Sequence, residues 1–159
     1  MENEKSPILE IKDLRVTYET DIEVVEAVNG ISFQIEKGKT LGLVGETGAG
    51  KTTTALSILR LLPETTGRIK GGEICFEGED LLHVDEEQMR GVRGNRISMV
   101  FQDPMSSLNP VYTVGDQIGE AIRLHRPELS NDAVEQRIDE ILQSVSYTHL
   151  RAHETSQDL

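Results

Sequence analysis

From Ile8 to Tyr18, in ILEIKDLRVTY, apolar and polar residues alternate with the period of a strand that has one face buried. A polar hairpin region, ETDIEV, follows. VEAVNGISFQI (25–35) predicts a second strand, and EKGK a turn. TLGLVG (40–45) is a short apolar run ending on glycine, which predicts a central strand buried on both faces. KTTTALSILRLLP (51–63) changes to helical spacing and stops at Pro63. GRIKGGEICFEGEDLL (67–82) predicts a short strand with glycine turns, DEEQMRGVRG (85–94) a polar helix, and RISMVFQ (96–102) another apolar strand. After the loop DPMSSLNP, residues 113–125 and 130–144 both carry amphipathic helix spacing, the second with Ser130 or Asn131 as N-cap. Antiparallel-type strands followed by strand–loop–helix units predict a mixed α/β domain. Beyond Ser144 the periodicity is lost.

Length and charge narrow the function classes. At 159 residues the chain is long enough for one domain with a real core. The scarcity of aromatics (no Trp, three Tyr, three Phe) leaves Ile, Leu and Val to build that core. A net charge of −12 argues against a nucleic-acid or anionic-lipid surface, yet leaves local phosphate recognition open. The single Cys75 has no internal partner, which suits a reducing compartment. No run approaches the length of a membrane span, so any membrane role is expected to pass through a partner.

The strongest chemical signal is GETGAGKT, Gly45 to Thr52, which fits G-x-x-x-x-G-K-[ST]. A phosphate chain needs several donors aimed inward at close range. Gly45, Gly48 and Gly50 let the backbone approach and adopt positive φ. Their amides, with those of Lys51 and Thr52 where the helix begins, form an anion nest. Lys51 is placed to bridge the outer phosphates, and the Thr52 hydroxyl to ligate Mg²⁺. An apolar run ending at Gly45 and a helix pattern starting at Lys51 supply the context this motif requires.

A phosphate cradle does not choose among ATPases, GTPases and small-molecule kinases. No Asn-Lys-x-Asp guanine reader is present. Taken together, RVTYET…VEAVNGISF, GETGAGKTTT and FQDPMSSLNPVYTVGDQI resemble the ATP-binding subunit of ABC importers, within them the oligopeptide, dipeptide and nickel subfamily, over about residues 8–143. The resemblance implies a P-loop NTPase of the ABC ATPase type: a mixed sheet with an antiparallel β subdomain and the start of a helical subdomain, incomplete at its C-terminal side. It implies an ABC-type ATPase that couples ATP hydrolysis to import of peptides or a related solute, nickel among them.

Residue by residue, the resemblance gives Tyr18 the role of the aromatic stacked on adenine, worth about 1–3 kcal/mol. On spacing alone, Tyr18 reads equally well as a strand aromatic. Gly45, Glu46, Thr47, Gly48, Ala49, Gly50, Lys51, Thr52 and Thr53 become the ATP cradle, with Lys51 and Gln102 as catalytic groups. Gln102 matches the glutamine that touches Mg²⁺ and the attacking water; an amide can accept from water and offer oxygen to a metal. The DPMSSLNP loop would face transmembrane permease subunits, with Met105 and Leu108 as docking contacts or as core of the small subdomain. A second ATP-binding domain, from the same chain or a paralogue, and indirectly an extracytoplasmic solute-binding protein complete the partners. No nucleic acid is expected. The location implied is the cytoplasmic face of the cell membrane, held peripherally.

Two rival readings belong to other classes. Asp103, ending ISMVFQD, could be the metal carboxylate of a P-loop phosphoryl-transfer kinase, although Gln102 intervenes and Pro104 makes Asp103 a turn former. Alternatively the polypeptide is a gene fragment without function. VSYTHLRAHET (145–155) resembles an in-frame translation of transposon-derived sequencing-adapter DNA, so residues 145–159 are expected to be a non-native tail. The resembled family continues to a signature loop, a strand ending in Asp and a catalytic Glu, and a switch His, none of which follows Ser144. The expected organisation is a partial ATP-binding domain over 1–144 (β subdomain and P-loop core 8–104, start of the helical subdomain 105–144). Such a chain would be marginal or aggregating, and not hydrolytically competent alone. Cys75 is expected to be an inert filler, and His83 and His125 surface residues.

Overall fold

The computed structural model describes residues 6–102 and 108–145, which form two compact units divided between Arg93 and Gly94. In chain order the elements are β1 (Leu9–Glu19), β2 (Val24–Ile35), α1 (Lys51–Ile58), β3 (Gly67–Phe76), β4 (Glu79–Asp80), α2 (Glu86–Val92), α3 (Val114–His125) and α4 (Asn131–Ser144).

The first unit is built on a four-stranded antiparallel sheet in the order β2–β1–β3–β4. β1 is central and carries most of the core, with Leu9, Ile11, Leu14 and Val16 all buried. The step from Ile11 to Leu14 breaks strict alternation. A bulge resolves it: Asp13 takes a positive φ of 43° and the register shifts against both neighbours, so the buried face is kept. Gly72 makes the bulge possible, because a Cβ there would lie 2.6 Å from the carbonyl oxygens of Lys12 and Asp13. Val28, Leu59, Ile74, Phe76, Leu81, Met89 and Val92 complete the core. Burying each such side chain is worth roughly 1.5–3 kcal/mol.

α2 starts with a capping box in which the Asp85 carboxylate accepts from the Gln88 amide and the Gln88 side chain accepts from the Asp85 N–H. The acidic run is thus a helix start, as its composition suggested. β3 is longer than the sequence implied, since Gly71 and Gly72 lie inside the strand rather than at a turn.

Two expected strands do not form. Residues 41–46 and 98–101 are without regular structure, and their apolar side chains are exposed: Leu43 by 45%, Val44 by 90% and Val100 by 92%. An apolar run becomes a strand only by exchanging ladder hydrogen bonds with a neighbour. Among the described residues no strand pairs with either run, so the sheet is antiparallel where a mixed one was expected.

The second unit is a helical hairpin. Val134, Ile138 and Leu142 of α4 are buried against Val114, Ile118 and Ile122 of α3. Both N-caps are hydroxyls: Thr113 accepts from the Asp116 amide and Ser130 from the Ala133 amide. Ser130 is therefore the cap of the pair considered from sequence. Gln117 staples the approach to α3 by donating to the carbonyls of Asn109 and Tyr112 and accepting from the Asn109 amide. The Asp103 and Met105 readings, and the proposed tail beyond Val145, lie outside the described residues.

Candidate nucleotide site

The loop before α1 has the backbone that phosphate binding needs. Gly48 and Gly50 sit at φ 85° and 79°, a region L side chains avoid. Gly50 is doubly constrained, because it is the N-cap of α1 and a Cβ on it would lie 2.2 Å from the Ala27 carbonyl oxygen of β2. The helix start is therefore pressed against the sheet. The Ala49 amide donates to the Glu46 carbonyl at 3.1 Å, which turns the loop, and Lys51 Nζ folds back onto the carbonyls of Gly45 (2.7 Å) and Glu46 (2.6 Å).

Charge placement singles out this helix end. Of the four described helices, α1 alone begins without an acidic residue in its first turn; α2 has Glu86 and Glu87, α3 Asp116 and α4 Asp132. It is also the one with no side-chain cap, so its first amides keep their partial positive charge for a ligand. Glu46, Thr47, Gly48 and Ala49 are exposed along the loop, and Thr52 is exposed on the first turn. On the opposite side Thr53, Thr54 and Ser57 are buried. Thr54 and Ser57 return their hydroxyls to the helix backbone, onto the carbonyls of Gly50 (2.9 Å) and Thr53 (2.7 Å). Thr53 does not; its Oγ1 lies 3.3 Å from the Tyr18 hydroxyl.

The first unit thus brings together Tyr18, the loop 45–50, Lys51, Thr52 and Thr53. Gln102 belongs to the second unit, where it is exposed at the end of the unpaired run 98–101. Leu108 is exposed in the same unit.

Other residues read from sequence fall into place without chemistry. Burial, and next the charge of Asp80, push the Cys75 thiol above its ordinary value, away from the reactive thiolate. His83 is exposed and pairs with Asp80 at 2.6 Å. No group of three or more His, Cys, Asp or Glu side chains is placed to hold a metal among the described residues.

Sequence reasoning missed a clasp at the far end of α1. Arg93 Nε donates to the Leu59 carbonyl at 2.7 Å, Arg60 donates to the Val84 carbonyl at 2.8 Å, and both guanidiniums face Glu86. Arg60 holds this position with a φ of 51°. The only sequence signal is two arginines and a glutamate in otherwise ordinary polar context.

The model of a family described as ABC transporter matches residues 28–158, most of the chain. The chain belongs to the ABC transporter family. It is 48% identical to the probable peptide ABC transporter ATP-binding protein y4tR of Sinorhizobium fredii, over 83% of this chain and 39% of that protein. With the oligopeptide transport ATP-binding protein OppD of Bacillus subtilis it shares 45% identity, over 87% of this chain and 38% of that one. The chain therefore spans well under half the length of these curated family members.

Among solved structures, the dimeric ATP-binding cassette MJ0796 bound to ADP and Pi aligns with a TM-score of 0.76 at 20% identity. The alignment covers 95% of this chain and 63% of that one. The structure of cbiO1 of Clostridium perfringens, part of the ABC transporter complex cbiONQ, aligns at 0.69 and 23%, covering 94% and 54%. At those identities the likeness speaks for the ABC cassette fold, and the α/β reading of the sequence stands.

Proposed function

We propose that this chain is the nucleotide-binding part of an ABC importer ATPase that drives uptake of peptides or a related solute, nickel included. The observation that carries the reading is the uncapped, acid-free start of α1 at Gly50, with Lys51 folded over the loop that leads into it. An anion placed there meets several backbone amides and an ammonium at once, which is the chemistry a triphosphate requires.

ATP would lie with its phosphates in the loop 45–53 and its base against Tyr18. Within the first unit, exposed Thr52 offers Mg²⁺ a hydroxyl beside the loop; Gln102 is the second oxygen donor that the family resemblance implies. The ion, when bound, neutralises phosphate charge. Lys51 would supply a second point charge to the outer phosphates. Relatives named as peptide transport ATP-binding proteins support the solute class. Permease subunits, a second ATP-binding domain and, through the permease, a solute-binding protein are the partners this reading implies, at the cytoplasmic face of the membrane.

Titration of the chain with MgATP tests the reading. Saturable binding that Lys51→Ala weakens at least tenfold is expected; no binding by the unmodified chain overturns it.

A further inference from the structure

Tyr18 is held at both ends. Its backbone is held between two strands near the end of β1, opposite Val25 on β2 and Gly67 on β3. Its hydroxyl reaches Thr53 Oγ1 on α1, 35 residues away in sequence. Thr53 is only 8% exposed, so its end of this part-buried bond is turned away from water. The ring itself stays half-buried. The residue directly opposite on β3 is a glycine, where a Cβ is in any case forbidden, at 2.7 Å from the Leu62 Cβ. Val25, on the other flank, is 46% exposed.

A half-buried tyrosine can satisfy its hydroxyl from water or from the nearest backbone; here the partner is a side chain on the first turn of α1. The buried hydroxyls of Thr54 and Ser57 are spent on their own helix, Thr52 is exposed, and the Thr53 hydroxyl reaches across to the sheet. We propose that Thr53 is a positioning residue for Tyr18: the hydroxyl pair fixes the ring beside the phosphate loop as a preformed platform for the purine base. The inference rests on the nucleotide reading above and adds to it how the base platform is held. Fixing the ring before the ligand arrives removes the cost of ordering it on binding. It also ties base recognition mechanically to the first turn of the phosphate helix.

The test compares two probes, MgATP and inorganic tripolyphosphate, by titration calorimetry on the full 159-residue chain. The ratio of their affinities isolates the nucleoside, so any effect of Thr53 on phosphate cancels. Tyr18→Phe keeps the ring and loses the tether; it is expected to lower the ratio about fivefold, the effect of one net hydrogen bond. Thr53→Val should do the same, Thr53→Ser should restore the ratio, and the double variant should fall no further than either single one. An unchanged ratio in Tyr18→Phe overturns the inference while leaving nucleotide binding standing. Additive losses in the double variant overturn it as well. Failure of the unmodified chain to bind either probe overturns the nucleotide reading and this inference with it. Should Thr53→Val not fold, Tyr18→Phe decides alone.

Discussion

Lys51 donates its ammonium to the carbonyl oxygen of Gly45 at 2.7 Å, closing the phosphate loop on its own first residue. An ammonium has three donors, and a second goes to the Glu46 carbonyl. Under the nucleotide reading, an arriving phosphate would meet a charge already held over the loop by the loop itself. Lys51→Ala removes both the attraction and the closure, and should weaken MgATP at least tenfold. Lys51→Arg should not restore binding, because a planar guanidinium fork cannot reproduce a compact ammonium facing two adjacent carbonyls. Fluorescent-nucleotide titration of the three proteins checks both statements, and recovery by arginine would refute the second.

Gly48 and Gly50 separate two kinds of glycine requirement. Both have positive φ, but a Cβ on Gly48 meets nothing within 4 Å while one on Gly50 strikes the Ala27 carbonyl at 2.2 Å. Gly48→Ala should then cost only the left-handed backbone, about 1–2 kcal/mol. Gly50→Ala adds a backbone clash that no rotamer relieves, and should cost distinctly more. Denaturant midpoints for the two variants give the comparison. Equal losses would mean that the approach of α1 to β2 is not tight.

The parts legible in the sequence are those whose partners are near in sequence. The bonds that close the phosphate loop span five and six residues, and the motif contains all of them. The α3–α4 hairpin follows from periodicity and the Ser130 cap. By contrast, the Tyr18–Thr53 bond spans 35 residues and the Arg93–Leu59 bond 34, and no local pattern announces either. TLGLVG has the composition of a buried strand, but composition supplies no neighbour, and Leu43 and Val44 stay in solvent. Gly71 and Gly72 read as a turn because glycine usually marks one. Here Gly72, at φ 99°, makes room for the Asp13 bulge in the next strand.

Asp103 discriminates between the transporter reading and a phosphoryl-transfer kinase. If its carboxylate were the metal ligand of a kinase, Asp103→Ala would abolish Mg²⁺-dependent nucleotide affinity. Under the reading adopted above, Thr52 and Gln102 offer the oxygens, so Asp103→Ala should leave MgATP affinity within about twofold. Such a change is under half a kcal/mol. Gln102→Ala should lower the Mg²⁺-dependent share of binding instead. Loss of binding in the aspartate variant with none in the glutamine variant would favour the kinase.

Glu86 gives the first unit a pH dependence of known sign. Its carboxyl is held below the ordinary glutamate range chiefly by the hydrogen bond from Arg93, opposed by some burial and helped by the charges of Arg93 and Arg60. Its place in the first turn of α2 favours the ionised form further. A carboxyl whose folded-state pKa is depressed contributes its stability in full above the unfolded value, about 4.3 for glutamate. That contribution fades as the pH falls through the lower, folded value. Between pH 7 and pH 3 the unmodified chain should therefore lose more stability than Glu86→Gln, which cannot ionise. At neutral pH the glutamine variant should be the weaker of the two, because Arg93 and Arg60 then face an amide. The denaturation midpoints of the two proteins should converge as acid is added, and parallel curves would show that the arginine clasp at the end of α1 is not electrostatically coupled to folding.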